Sequence, residues 1–203
     1  MILIASSSDK HFLHSSVVLR HANGDSGEAE HVIETILTEA AVAKRRVWVS
    51  SVLFAELRPS TFVPGRFATL FDLTRYIRAL ATLVTPDPNA MLRVAKLRDG
   101  KWLTPGDSNG AEGKPRSMAL GDAMQIASAL WVKEAIGVPD LEFLTFDDWC
   151  SAEPGRGQRL CRLHLQDYAV DAEVHAEVKA PVRLTRLEPV AHTQSQPHSA
   201  PAG

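Results

Sequence analysis

The sequence predicts an α/β domain with a mainly parallel central sheet. Short runs rich in β-branched and aromatic residues alternate with longer amphipathic segments, the order expected of parallel strands joined by helices. The chain has 203 residues, 45% of them hydrophobic and 23% charged, which suffices for the core of one such domain. We place this domain at residues 1–150, with its core at about 11–150, and treat residues 151–203 as a C-terminal extension.

The first elements are a strand, a helix, a second strand and a short helix. FLHSSVVLR is typical of a strand that runs into a turn or helix. In GDSGEAEHVIETILTEAAVAKRR, Ile33 and Ile36 share one helical stripe, and Asp25 with Glu28 resembles a capping box. VWVS is a strand because β-branched and aromatic residues dominate it. SVLFAEL continues as a helix that Pro59 ends or kinks.

The later elements repeat this alternation. RFATLFDLTRYIRAL is an amphipathic helix and ATLVT a third strand, after which Asp87 caps a helix that begins with Pro88. Residues 100–117 are rich in Gly, Pro and Ser, which favours a loop. MALGDAMQIASALWVKEAIG is a long helix ended by Gly137, and LEFLTF is the fourth strand. VRLTRLEPV alternates like a strand, whereas the final AHTQSQPHSAPAG is predicted to be disordered.

Charge and cysteine content bear on the partners and the cellular compartment to be expected. The net charge is −2, but residues 58–116 carry ten Lys and Arg against five Asp and Glu, which suits either a phosphate backbone or a solvated helical face. Cys150 and Cys161 have no metal-ligand spacing and suggest no disulfide framework, so a reducing cytoplasm fits. Neither a signal peptide nor a membrane-spanning run is apparent, and we expect no membrane partner.

Four carboxylates lie in or next to the segments that flank the predicted strands. Glu56 lies in the helix after VWVS, Asp147 and Asp148 come directly after LEFLTF, and Asp122 opens the helix before that strand. The carboxyl ends of parallel strands share one edge of a sheet, where ligands bind. Gathered there, carboxylates would repel one another unless a cation lay between them, and Mg²⁺ or Mn²⁺ prefers such oxygen ligands.

Each carboxylate also has a structural interpretation. Asp122 with Gln125 fits an N-cap and its capping-box partner. Glu56 fits a residue that flanks Arg58 at a helix end, and acids directly after a strand are ordinary turn residues. The functional interpretation therefore depends on whether the carboxylates converge.

Three segments, in this order and at these separations, resemble the PIN-domain family, and within it the VapC-like toxins of type II toxin–antitoxin systems. They are VWVSSVLFAEL, LGDAMQIASALWV and LEFLTFDDW, and the resemblance covers about residues 11–150. It implies a three-layer α/β/α fold and a metal-dependent endoribonuclease that requires Mg²⁺ or Mn²⁺. It also implies RNA as substrate, a small antitoxin protein as inhibitor and, often, a homodimer.

The resemblance also implies roles for individual residues. Carried over by motif, Glu56, Asp122 and Asp147 would be the catalytic, metal-coordinating acids, and Asp148 an auxiliary ligand. Thr145 would support the site through its hydroxyl.

The first acid of the family pattern is absent. FLHSSVVLR places His14, followed by Ser15, where the family has an Asp, and an alternative alignment on MILIASS places Ala5 there. Imidazole brings no negative charge and suits Mg²⁺ poorly. Three interpretations stay open: an active site that uses Mn²⁺ or recruits Asp9, a catalytically inactive PIN-fold module that binds RNA or protein, or an engineered or sequencing substitution.

Overall fold

A mainly parallel sheet forms the centre of the molecule. The computed structural model describes residues 8–59, 62, 64–100, 102–103, 117–147, 160–163, 165–168, 182–183 and 188–189. The main sheet has the order β3-β2-β1-β5-β6-β8, and β4 pairs with β7 separately. The strands are β1 (Lys10–Leu13), β2 (Arg46–Ser50), β3 (Thr82–Val84), β4 (Trp102–Leu103), β5 (Glu142–Thr145), β6 (Cys161–Leu163), β7 (Val182–Arg183) and β8 (Glu188–Pro189).

The first four strands of that order run parallel. β1 pairs in parallel with both β2 and β5, so that Phe12 lies opposite Trp48 and Phe143. β2 pairs in parallel with β3, while β6 runs antiparallel to β5 and to β8. The carboxyl ends of β1, β2, β3 and β5 therefore lie at one edge of the sheet.

Helices cover both faces of the sheet. They are α1 (Ser15–Asn23), α2 (Glu30–Ala41), α3 (Leu53–Glu56), α4 (Leu70–Leu80), α5 (Pro88–Asp99) and α6 (Leu120–Glu134). Along β1, Phe12 packs with residues of α5 and α6, whereas Leu13 packs with residues of α1, α2 and α4. This alternation produces two apolar cores, one on each side of the sheet. The predicted three-layer α/β/α architecture is confirmed.

Two predicted helix ends are confirmed and one predicted start is wrong. Asp87 accepts a hydrogen bond from the N–H of Ala90 (2.7 Å), and Gly137, with φ 76°, follows the last helix. The capping box of Asp25 and Glu28 does not form, because α2 begins only at Glu30, after a 3₁₀ turn. The N–H of Asp25 donates instead to the carbonyl of Arg20 (3.0 Å), so Asp25 belongs to the end of α1.

The described parts of residues 151–203 contribute strands to both sheets. β6 and β8 extend the main sheet beyond β5, and within VRLTRLEPV the structure describes β7, which pairs with β4, and β8. Most of the predicted 100–117 loop and the final AHTQSQPHSAPAG lie outside the described residues. Among the helices that the structure describes, none combines the length and the apolar character needed to cross a bilayer.

Candidate metal centre

His14 lies at the carboxyl end of β1 and is the N-cap of α1. Its backbone N–H donates to the carbonyl of Leu144 (3.0 Å), which links it to β5. Its side chain is 5% exposed, and the Ser16 N–H points at Nδ1 from 3.3 Å. The neighbouring ring of Phe143 lies with its centroid 5.8 Å away. The imidazole is therefore held at the edge where ligands bind in parallel sheets.

Asp147 approaches the same imidazole from the end of β5. Its Oδ2 lies 3.0 Å from His14 Nδ1, and its backbone N–H donates to Thr145 Oγ1 (2.9 Å). Thr145 Oγ1 lies 3.3 Å from Ser16 Oγ, which accepts from the N–H of Phe146 (3.1 Å). The hydroxyls of Thr145 and Ser16 thus fix the backbone that carries Asp147.

Asp122 faces the opposite nitrogen of the ring. It is in the first turn of α6, and its Oδ1 lies 3.4 Å from His14 Nε2. The predicted N-cap role is wrong, because the N-cap is Ala119. His14, Asp122 and Asp147 each offer one possible ligand atom, and these three atoms all lie within 4.8 Å of one another. The structure therefore brings two of the three predicted acids together around His14.

Glu56 is attached to this group through Gln125, which is completely buried. The Oε1 of Gln125 accepts from the N–H of Ser15 (2.9 Å), and its Nε2 donates to Ser15 Oγ (2.7 Å) and to Glu56 Oε2 (2.9 Å). Glu56 is not in the set of mutually close ligand atoms, so it lies beside the group. The sequence predicted only a capping role for Gln125. The one feature that could have indicated a buried, bonded amide is its position in the apolar run AMQIASAL.

A glycine allows Glu56 to approach α6. A Cβ on Gly121 would overlap Glu56 Oε1, so the carboxylate lies directly against the first turn of the helix. Gly121 precedes Asp122, which places Glu56 next to the residue that faces His14. The close approach requires the absence of a side chain here rather than an unusual backbone angle.

One of the two other predicted contributors, Asp148, lies outside the described residues. The suggestion that Asp9 supplies the missing acid is wrong, because Asp9 precedes β1 at the amino end of the strand and pairs with Lys10 (3.2 Å). A four-residue strand separates the two ends by about 13 Å.

Negative charge dominates the group. Among the described residues, neither Asp122 nor Asp147 forms an ion pair with a lysine or arginine. Burial raises the pKa of the Asp147 carboxyl above its ordinary value, an effect that nearby His14 opposes and Asp122 reinforces. A bound cation would lower the pKa of Asp147 again, since an adjacent positive charge favours the ionised form.

Neutralising Asp147 is expected to stabilise the metal-free protein. A carboxyl whose pKa is raised on folding contributes stability that is fully present below its unfolded pKa and is lost as pH rises through the folded pKa. At pH 7 the charged Asp147 therefore opposes folding, and Asp147→Asn should raise the melting temperature by about 1–2 °C. The gain should shrink as pH falls toward the unfolded pKa. Thermal melts between pH 7 and pH 4.5 with a chelator present measure it.

Asp140 is the matched control for this measurement. Its hydrogen bond with Lys10 (2.7 Å) lowers the pKa of the carboxyl, so its contribution is present above the unfolded pKa and is lost as pH falls. Asp140→Asn should therefore lower the melting temperature at pH 7. If both variants changed the melting temperature equally and in the same direction, the destabilisation would not be specific to the charge on Asp147.

Removing the Gln125 amide should lower both the stability of the fold and the affinity for divalent ions. Gln125→Leu leaves the buried N–H and hydroxyl of Ser15 without their partner, which costs about 1–3 kcal/mol in the free energy of unfolding. Denaturant unfolding measures this loss. The control is Ser128→Ala, which removes another buried polar group of α6, bonded to Ser50 (3.1 Å), without touching Glu56. An identical effect of both variants on divalent-ion affinity would contradict a role for Gln125 in the site.

Gly121→Ala is expected to weaken divalent-ion binding without destabilising the fold. Alanine favours a helix over glycine by about 1 kcal/mol, and only the far end of a flexible side chain must move to accommodate it. The free energy of unfolding should therefore change little, while Glu56 swings away from α6 and divalent-ion affinity falls by about tenfold. Calorimetric titration alongside denaturant unfolding checks both. An unchanged affinity would show that the position of Glu56 is irrelevant to the site.

Comparison of the chain with family models, with curated proteins and with solved structures finds no match. The functional inference therefore depends on the geometry of the residues themselves. A buried imidazole between two carboxylates, with a third carboxylate beside them, can hold a divalent cation or exchange protons with a bound ligand.

Proposed function

We propose that the chain is a metal-dependent endoribonuclease of the PIN type and the toxin of a cytoplasmic toxin–antitoxin pair. The observation that carries the proposal is the convergence of His14, Asp122 and Asp147, with Glu56 beside them, at the carboxyl edge of a parallel sheet. These residues come from four separate segments of the chain. Turn or capping roles would not require them to meet.

The residues present fit a divalent cation. His14 Nε2 is buried, has no hydrogen-bond partner among the described residues, and lies 3.4 Å from a carboxylate oxygen of Asp122. His14, Asp122 and Asp147 would hold the ion, and Gln125 keeps Glu56 in position beside it. When bound, such an ion lowers the pKa of a coordinated water and stabilises the charge on a phosphodiester under attack.

Basic residues on the outer helices suit an RNA backbone. In α4, Arg75 has a side chain that is 74% exposed, and Arg78 is exposed near the end of that helix. Lys96 and Arg98 are exposed on α5. Contacts of this kind neutralise phosphates and make binding dependent on salt. The small antitoxin and the homodimer remain parts of the proposal that the family resemblance supplies.

The proposal is tested by incubating the purified chain with a structured RNA in a chelator and then with added Mg²⁺ or Mn²⁺. We expect internal cleavage that requires the ion and stops when the chelator is restored. Cleavage that proceeds equally in the chelator would overturn the metal-dependent mechanism. Absence of cleavage with every ion, in a folded protein, would overturn the nuclease assignment.

One observation favours a second function, a catalytically inactive PIN-fold module that binds RNA or protein. His14 occupies the position where the family pattern has its first acid, and it removes one negative charge from the group. Fewer negative charges weaken the hold on Mg²⁺. RNA retained at low salt but left intact under all ionic conditions would favour this second function.

A further inference from the structure

The Nε2 of His14 makes no hydrogen bond to the part of the chain that the structure describes. The atom is fully buried, in a side chain that is only 5% exposed. A buried polar atom without a partner costs free energy and calls for an explanation, such as an ion at the site. The atom points toward Asp122, whose Oδ1 lies 3.4 Å away.

The side chains of Asp147 and Ser16 both lie close to Nδ1 of the same ring. Asp147 Oδ2 and Ser16 Oγ both lie 3.0 Å from Nδ1. Ser16 contacts this nitrogen twice, through its hydroxyl and through its backbone N–H at 3.3 Å. These groups satisfy Nδ1 in either tautomer, because a hydroxyl can donate or accept. Nε2, in contrast, has no hydrogen-bond partner among the described residues.

A lone pair that faces a carboxylate oxygen is repelled by it unless a cation lies between them. The separation of 3.4 Å fits that arrangement. Two ligand atoms at about 2.0–2.2 Å from one ion, at the tetrahedral angle, are about 3.4 Å apart.

We propose that His14 Nε2 and Asp122 bind a first-row transition-metal ion of the zinc class in preference to Mg²⁺. Imidazole nitrogen suits zinc and its neighbours, whereas Mg²⁺ selects oxygen and near-octahedral geometry. The inference rests on the proposed metal site and specifies its chemistry, since His14 replaces an oxygen ligand with nitrogen. The preference for a zinc-class ion then follows from the presence of His14 where the family pattern has an aspartate.

The experiment is calorimetric titration of the metal-free, full-length chain with ZnCl₂ and, separately, with MgCl₂ at constant ionic strength. We expect one equivalent of Zn²⁺ to bind at least about tenfold more tightly than Mg²⁺. In His14→Asn, zinc affinity should fall by at least about tenfold. Asparagine is a preferred N-cap residue, so α1 keeps its start and the variant is expected to fold.

His21→Asn is the matched control. His21 is likewise buried and has Nδ1 2.9 Å from a carboxylate oxygen, that of Glu30, but it does not belong to the clustered ligand set. Its substitution should leave the tight zinc equivalent unchanged. Circular dichroism on all three proteins establishes that each is folded.

The outcomes separate this inference from the proposed function. Mg²⁺ binding as tightly as Zn²⁺, or a zinc affinity unaffected by His14→Asn, would overturn the inference while the Mg²⁺-dependent nuclease stands. Loss of the zinc equivalent in His21→Asn as well would place the ion elsewhere and also overturn it. If no divalent ion binds to the folded wild-type chain, both the inference and the metal-dependent function fail.

Discussion

Asp122→Asn is expected to reduce both divalent-ion affinity and RNA cleavage by about a hundredfold or more. Asp122 supplies the carboxylate that faces the free nitrogen of His14, so its replacement by an amide removes the charge that would hold a cation there. A bound ion contributes several kcal/mol to stabilising the transition state, and each 1.4 kcal/mol corresponds to a tenfold change in rate. Single-turnover cleavage and calorimetric titration measure the two losses.

Glu134→Gln provides the control for Asp122→Asn. Both substitutions neutralise one acid of α6, but Glu134 is at the far end of the helix and pairs with Arg93 (2.7 Å). Its loss should alter stability by less than about 1 kcal/mol and leave cleavage unchanged. Cleavage that survives in Asp122→Asn but falls in Glu134→Gln would contradict the location of the site.

The fold was predictable because its information is local. Strands such as VWVS carry β-branched and aromatic residues that pack on both faces, and helices follow them at regular intervals. In the structure Trp48 joins one core and Val47 the other, as a buried strand requires. The predicted capping box at Asp25 does not form, because a 3₁₀ turn separates Asp25 from the start of α2 and the Asp25 N–H donates to Arg20 in α1.

The site was predictable in part for a topological reason. Parallel strands place their carboxyl ends at one edge, so Asp147 and the residue after β1 had to approach each other. The position of Asp122 depended on how α6 packs, and its predicted capping role was wrong. The role of Gln125 could not be read from its neighbours, because its partners Ser15 and Glu56 are 110 and 69 positions away along the chain.

The surroundings of His14 illustrate the same limit. From the sequence, the residue was a departure from an acidic pattern, and nothing nearby in the chain distinguished a ligand from a structural histidine. Its two nitrogens acquire different roles only when Asp147 and Asp122 approach from different elements. Nε2 is then buried without a hydrogen bond to any described residue, an observation that requires three-dimensional contacts.

His14→Asp is expected to convert the site to one that prefers Mg²⁺. The substitution replaces a nitrogen ligand with an oxygen ligand and adds a negative charge beside Asp122 and Asp147. Affinity for Mg²⁺ should rise by about 10–100-fold, and Mg²⁺-dependent RNA cleavage should rise with it. Aspartate is also a preferred N-cap residue, so α1 should still begin at Ser15. Titration with MgCl₂ and cleavage at fixed Mg²⁺ measure the change.

The metal-free His14→Asp protein supplies an independent check, because the same carboxylates that attract an ion repel one another without it. Its melting temperature in a chelator should fall below that of the wild type and recover when Mg²⁺ is added, since an ion that binds only the folded state stabilises it. The His14→Asn variant, which adds no charge, should show no such recovery. Equal Mg²⁺ responses of the two variants would mean that the group at the end of β1 does not face a cation, and the acids would then owe their proximity to packing alone.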